Sequence, residues 1–99
     1  MSRILVTGAA GMVGRALAET LSEGDLVATD LSATGLPDGI PFRRMDVTGS
    51  DPDKIIGETR PDVVVHLASI VTPPKGMSRA QAFAVDVTGT RNVLDACVA

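Results

Sequence analysis

The sequence predicts an α/β fold built on a parallel sheet, and two observations support this prediction. Strand-like and helix-like segments alternate along the 99 residues, as they do in parallel α/β domains. Three glycines, Gly8, Gly11 and Gly14, lie directly between the first predicted strand and the first predicted helix. Right-handed crossovers between the strands would give the sheet the order 3-2-1-4.

A change in hydrophobic period marks the first strand and the first helix. Residues 3–6 form a short run that is apolar on both faces, as a buried parallel strand requires. From residue 11 to about residue 23, Val13, Leu17 and Leu21 recur every four residues, which is the spacing of one helix face. In chain order, the predicted elements are strand 3–6, helix 11–23, strand 26–29, loop 31–41, strand 42–47, helix 51–59, strand 63–67 and a helix from residue 78 to the end.

Two of the later strands have distinct characters. The third strand contains Arg43 and Arg44, whose charges suit a solvated sheet edge because they discourage further strand pairing. The fourth strand, Val63 to Leu67, is almost entirely apolar and is the strongest strand prediction in the chain. Pro73 and Pro74 then interrupt regular structure.

Capping patterns predict where two later helices begin. Asp51 followed by Pro52 is typical of an N-cap with proline at the first helical position, and Ile55 and Ile56 are predicted to face inward. Ser78 with a glutamine three residues later matches a capping box. Residues at helical spacing then continue to the end of the chain at Phe83, Val87, Thr90, Leu94 and Val98.

The composition is that of a globular protein and argues against several function classes. The chain is 44% hydrophobic, 21% charged and 2% aromatic, with a net charge of −3, so it is a poor candidate for nucleic-acid binding. One cysteine and one histidine argue against an internal disulfide and a clustered metal site. No segment is long and apolar enough for a membrane helix or a signal peptide, so a cytoplasmic location is expected.

The glycine turn predicts a dinucleotide-binding site. Gly8 permits a sharp exit from the strand, Gly11 lets a pyrophosphate approach the backbone, and Gly14 lets the helix pack closely on the sheet. The amide groups of Met12 and Val13 begin the helix and are the predicted phosphate donors. The side chain of Met12 is expected to pack over the adenine or the glycine turn.

Asp30 predicts which dinucleotide the site accepts. It ends the second strand, where its carboxylate can accept hydrogen bonds from an adenosine ribose and repel a 2′-phosphate. NAD is therefore favoured over NADP, although Arg15 and Arg43 leave NADP open. The alternative interpretation of Asp30 is a cap for the loop that follows it.

Four motifs together resemble the extended branch of the short-chain dehydrogenase/reductase superfamily, the NAD-dependent epimerase/dehydratase family. Thr7 to Gly14 match T-G-x-x-G-x-x-G, and Asp46–Val47 resemble the acidic-hydrophobic pair that contacts adenine in the family. His66-Leu67-Ala68-Ser69 resemble the H-L-A-A segment that runs along the cofactor, and residues 85–94 resemble V-N-V-x-G-T-x-N-V-L. The resemblance implies a Rossmann-like sheet and makes residues 1–99 the N-terminal portion of an NAD(P)-binding domain, truncated before the fifth strand.

The glycine turn, Asp30 and the resemblance together predict a set of cofactor-binding residues. Ser69 contacts the cofactor or caps a loop. Asp86 stands where the family has asparagine, and since a carboxylate cannot donate a hydrogen bond it could instead bind backbone or water. The predicted set is Gly8, Gly11, Met12, Val13, Gly14, Asp30, Leu31, Asp46, Val47, Leu67, Ala68, Ser69 and Asp86; no metal ligand and no catalytic residue is predicted.

The resemblance also implies a reaction and shows what this stretch of sequence lacks. Family members transfer a hydride between NAD and a sugar-nucleotide, sugar-acid or other hydroxyl substrate, with a Tyr-x-x-x-Lys pair as the acid/base centre. These 99 residues contain no tyrosine, so the chain alone is expected to be inactive. A dinucleotide-binding sensor without chemistry and an inert fragment are the alternative hypotheses. A bare edge at Val63–Leu67 also predicts self-association or partial disorder there.

Overall fold

The fold is a four-stranded parallel sheet, seen in a computed structural model that describes residues 2–70 and 74–99. Its order is β3-β2-β1-β4, which confirms the predicted order 3-2-1-4. In the register, Val6 of β1 lies between Ala28 of β2 and Val65 of β4. Pro73, which was predicted to interrupt regular structure, lies outside the described residues. The strands are β1 (Arg3–Thr7), β2 (Asp25–Asp30), β3 (Phe42–Arg44) and β4 (Val63–His66).

Helices cover both faces of the sheet and give three layers. Because side chains alternate along a strand, Leu5 and Val27 join one apolar cluster and Val6 and Ala28 join the other. The first cluster contains residues of α2 and α4, and the second contains residues of α1. The helical segments are α1 (Met12–Thr20), α2 (Asp51–Thr59), α3 (Arg79–Phe83), a π-helical turn (Ala84–Thr88) and α4 (Gly89–Val98).

The first helix is shorter than predicted, and one of the three residues predicted on its apolar face is exposed. It ends at Thr20 rather than near residue 23. Leu17 and Leu21 pack against the apolar cluster beneath α1, as predicted, but Val13 is 66% exposed. Gly14 and Ala18 are the buried residues of α1. Gly14 takes a contact position because α1 begins immediately after a tight turn and lies close to it.

The β3–α2 region also departs from the prediction. β3 ends at Arg44 rather than near residue 47, although it lies at a sheet edge as expected. Ser50, not Asp51, occupies the N-cap position of α2. The Asp51 carboxylate instead accepts a hydrogen bond from the Asp46 amide at 3.0 Å. Ile55 and Ile56 are buried, which confirms that they face inward.

α3, the π-helical turn and α4 form one continuous helix, because the backbone is helical at both junctions. Ser78 and Gln81 form the predicted capping box at its start. Gly89 faces the core, where an added Cβ would lie 2.5 Å from Cγ2 of Val47. Several apolar residues that mark the helical spacing in the sequence lie exposed on the outer face, namely Phe83, Val87, Leu94 and Val98.

Across the described ranges 2–70 and 74–99, the helices are too short or too polar to traverse a bilayer.

Candidate dinucleotide-binding site

A pocket lies where the parallel strands end, which is where open α/β sheets bind ligands. Thr7, Asp30 and Leu67, which end or follow the strands β1, β2 and β4, contribute to its wall. The pocket brings together nine residues of the predicted set, Gly8, Gly11, Asp30, Leu31, Asp46, Val47, Leu67, Ala68 and Ser69. The other four, Met12, Val13, Gly14 and Asp86, do not line it.

The turn between β1 and α1 requires glycine at two positions. Gly8 has a φ of +67°, and a Cβ there would lie 2.7 Å from the Ala68 nitrogen, so a larger residue would be both strained and obstructed. A Cβ on Gly14 would overlap the carbonyl oxygen of Gly8 and the Ala9 backbone. Gly14 therefore lets α1 approach the turn itself, whereas the sequence predicted an approach to the sheet.

The first turn of α1 presents backbone amides at the glycine turn. Gly11 is its N-cap and has no side chain to accept from them. The first amides of a helix have no intrahelical acceptor, which leaves those of Met12 and Val13 available to an anion. Met12 is 82% exposed, so the expectation that it packs over the glycine turn is wrong, whereas its packing over the adenine stays a prediction.

Asp30 joins the end of β2 to the glycine turn. One carboxylate oxygen accepts from the Ala10 amide at 3.0 Å, and the other accepts from the Leu31 amide at 2.7 Å. These bonds match the loop-cap interpretation. Each carboxylate oxygen can accept a second hydrogen bond, and Asp30 also lines the pocket, so the same geometry leaves it able to bind a hydroxyl group.

Asp46, which follows β3, is held as an anion in the wall of the pocket. Its Oδ1 accepts from both the hydroxyl and the amide of Thr48, at 2.7 and 2.9 Å. These bonds lower the pKa of Asp46 below its ordinary value, chiefly through the Thr48 hydroxyl. Asn92 of α4 donates to the Val47 carbonyl at 2.8 Å, so the helix anchors the segment that carries Asp46.

Asp86 lies outside the pocket and holds two residues of its wall in place. Its Oδ1 accepts from the Ser69 hydroxyl at 3.0 Å and from the Ile70 amide at 2.8 Å. Ser69 and Ile70 line the pocket, but Asp86 does not. The carboxylate therefore binds the neighbouring loop, which agrees with the alternative that the departure from asparagine suggested.

Several pocket residues were not predicted from the sequence. Thr7 opens the glycine motif and Met45 adjoins Asp46, so their proximity to recognised motifs could have indicated them. Val85 likewise begins the recognised motif of residues 85–94, whereas Met77 lacks such a signal, because it reaches the pocket only through the fold of the segment after β4. The unpredicted lining residues are Thr7, Thr29, Met45, Ile70, Met77 and Val85.

Comparison with known proteins places the chain in one family. A model of the NAD dependent epimerase/dehydratase family matches residues 4–99. The chain is 27% identical over 103 residues to dTDP-4-dehydrorhamnose reductase from Aggregatibacter actinomycetemcomitans, covering 99% of this chain and 31% of that protein.

Solved structures show the same fold. L-threonine dehydrogenase from Clostridium difficile matches with a TM-score of 0.85 at 27% identity, over 98% of this chain and 33% of that one. The complex of Thermus thermophilus UDP-glucose 4-epimerase with NAD matches with a TM-score of 0.77 at 31% identity, over 96% of this chain and 33% of the epimerase. The chain thus spans about a third of the length of these relatives. It belongs to the NAD-dependent epimerase/dehydratase family.

Proposed function

We propose that the pocket binds the adenosine diphosphate half of NAD, and that residues 1–99 are the NAD-binding portion of an epimerase/dehydratase-type oxidoreductase. The observation that carries the proposal is the position of the Asp30 carboxylate, 3.0 Å from the Ala10 amide of the glycine turn. A diphosphate at the start of α1 and a ribose on Asp30 would then be adjacent, as they are in a dinucleotide.

Each part of the nucleotide has a matching group in the pocket. The amides of Met12 and Val13 would hold the pyrophosphate at the helix N-terminus. Asp46 and Val47 would flank the adenine with one anionic acceptor and one apolar side chain. The segment from Leu67 to Ser69 would run along the rest of the cofactor. An NAD complex of the Thermus thermophilus epimerase, which shares this fold, supports the choice of nucleotide.

The reaction follows from the family and not from groups inside this chain. NAD supplies a hydride acceptor and donor at its nicotinamide ring. The substrate is proposed to be a sugar nucleotide, a sugar acid or a related hydroxyl compound, since the matched relatives include a dTDP-sugar reductase and a UDP-glucose epimerase. The sequence contains no tyrosine, so this chain alone would bind the cofactor without transferring a hydride.

Calorimetric titration of Asp30→Asn with NAD and NADP tests the proposal. In the wild-type chain, a fixed carboxylate favours ribose hydroxyls and opposes a 2′-phosphate, so NAD should bind more tightly than NADP. Removal of one charge should weaken NAD binding by on the order of tenfold, about 1.4 kcal/mol, and reduce the discrimination against NADP.

Asp38→Asn is the matched control, because Asp38 is exposed in the loop after β2 and does not line the pocket. It removes the same charge and should leave both affinities unchanged. The non-catalytic sensor includes the same binding step, so a wild-type chain that binds neither nucleotide contradicts both functions. Equal effects of the two substitutions would contradict the role of Asp30.

A further inference from the structure

His66 lies between two threonines that come from distant parts of the chain. Its Nδ1 is 2.7 Å from the Thr7 hydroxyl oxygen at the end of β1, and its Nε2 is 3.0 Å from the Thr90 hydroxyl oxygen on α4. His66 ends β4 and does not line the pocket, but the next three residues do. It is also the single histidine of the sequence.

The surroundings of Thr7 fix the direction of the first hydrogen bond. The amide of Ala68 donates to the Thr7 hydroxyl oxygen at 3.1 Å. The amide of Leu67 is shared between that hydroxyl oxygen at 3.0 Å and the Thr7 backbone carbonyl at 3.1 Å. A hydroxyl oxygen has two lone pairs and one proton. Because the two amides occupy the lone pairs, the Thr7 proton is left to be donated to Nδ1 of His66.

The surroundings of Thr90 fix the second bond in the same sense. The Thr90 hydroxyl donates to the backbone carbonyl of Asp86 at 2.7 Å, so its oxygen accepts from Nε2 of His66. The imidazole is thus neutral, with its proton on Nε2. Burial also lowers the pKa of His66 below its ordinary value, which favours the same neutral form.

Charged groups on the packed elements do not alter this assignment. β1 contributes Arg3, which is paired with Asp25 at 3.0 Å. The π-helical turn contributes Asp86, whose carboxylate is engaged by Ser69 and Ile70. α4 contributes Arg91 and Asp95, both exposed. Both ring nitrogens of His66 make their hydrogen bonds to hydroxyl groups.

We propose that His66 is a positioning residue for the dinucleotide, acting through a directed relay from Thr7 through His66 and Thr90 to the Asp86 carbonyl. The proposal rests on the proposed function and adds a residue that would act without touching the nucleotide. The relay fixes the wall formed by Leu67 and Ala68.

The wall needs such fixing because it touches the glycine turn. A Cβ on Gly8 would lie 2.7 Å from the Ala68 nitrogen, so a shift of the wall would change the space available beside the turn. At its other end, the relay reaches the π-helical turn, which also carries Val85 of the pocket lining. π-helical turns are frequent at functional sites. Here the turn carries both the Asp86 carbonyl, where the relay ends, and Val85 of the pocket lining.

Long-range ¹H–¹⁵N correlation of the His66 imidazole in the ligand-free chain is the first test. With a single histidine, the spectrum can be assigned without ambiguity. We expect a pyrrole-type Nε2 and a pyridine-type Nδ1 at neutral pH. A proton on Nδ1, or a charged ring, overturns the relay whether or not the chain binds NAD.

Thr90→Val and Thr90→Ser, compared by NAD titration, are the second test. Val removes the acceptor for Nε2–H at nearly constant volume, and Ser retains it. We expect Thr90→Val to weaken NAD binding about fivefold, the effect of one hydrogen bond, and to lose the single tautomer, whereas Thr90→Ser retains both.

The outcomes separate this inference from the proposed function. If Thr90→Val loses the tautomer and binds NAD like the wild type, the positioning role is wrong and NAD binding stands. Equal weakening by Val and Ser also overturns the role, because the retained hydroxyl should have restored affinity. A wild-type chain that does not bind NAD overturns the proposed function and with it the dinucleotide role of His66.

Discussion

The neutral state of His66 has a consequence for stability at the scale of one residue. Burial holds the pKa of this ring below its ordinary value of about 6.5. Between the lowered folded value and about 6.5, the unfolded chain binds more protons than the folded chain, so stability rises with pH there. The stabilising effect is complete above about pH 6.5 and is lost as the pH falls toward the folded pKa.

We therefore expect the free energy of unfolding to decrease below about pH 6.5, with a slope of at most about 1.4 kcal/mol per pH unit. Urea unfolding of the wild type and of His66→Asn, between about pH 5 and 8, measures it. Asn can still accept from Thr7 but does not titrate, so its curve should be flat over this range. An equal slope in both proteins would show that another group is responsible.

Asp46 acts in a different pH range. Its pKa is lowered by Thr48. Its contribution to the free energy of unfolding is therefore present above the ordinary pKa of about 3.9 and is lost only as the pH falls through the lower folded pKa. This separation leaves the range near pH 6 to the single histidine.

At the scale of the elements, local patterns predicted the strands, their order and the inward residues of α2, but not which face of the last helix is buried. The last helix has two periodic rows. One contains the large apolar residues Phe83, Val87 and Leu94, and the other contains Gly89 and Val93. The second row is buried, because glycine permits close approach to Val47, yet glycine adds no hydrophobic signal to a sequence pattern.

Sequence patterns likewise predicted the parts of the candidate site that lie within one local motif, but not its long-range contacts. Gly8 to Gly14 and the end of β2 could be recognised because their spacing is local to one strand–turn–helix unit. The bonds that His66 makes to Thr7 and Thr90 span 59 and 24 residues. Such contacts depend on the completed sheet, so a pattern within one segment does not reveal them.

The close approach of α4 to the sheet can be tested by substitution. Gly89→Ala would place a Cβ 2.5 Å from Val47 Cγ2, so we expect it to destabilise the fold by about 1–3 kcal/mol. Combining it with Val47→Ala removes the opposing methyl groups, and the double variant should be more stable than the sum of the single effects predicts. Urea unfolding of the wild type, the two single variants and the double variant measures this coupling energy.

Gly57→Ala is the matched control within a helix. A Cβ at Gly57 meets no atom within 4 Å, so the substitution should stabilise α2 by about 0.5–1 kcal/mol through helix propensity. If Gly89→Ala also stabilises the fold, or if the cycle is additive, α4 does not depend on this contact.

At the scale of the whole molecule, two apolar surfaces could pair with a second chain. β4 lies at the edge of the sheet formed by the described residues, and Val63 on it is 46% exposed. The outer helix face carries Val87, which is 43% exposed, together with Phe83 and Leu94. A strand edge offers a row of free backbone hydrogen-bonding groups in addition to apolar area, so we expect β4 to dominate self-association.

Sedimentation velocity of Val63→Lys and Val87→Lys distinguishes the two surfaces, because both positions are apolar and similarly exposed. A lysine at a strand edge opposes pairing with a second edge, so Val63→Lys should shift the 99-residue chain toward monomer while Val87→Lys does not. The reverse result would assign the contact to the helix. A wild-type chain that sediments as a sharp monomer, with the β4 amides protected from hydrogen exchange, would rule out association through this edge.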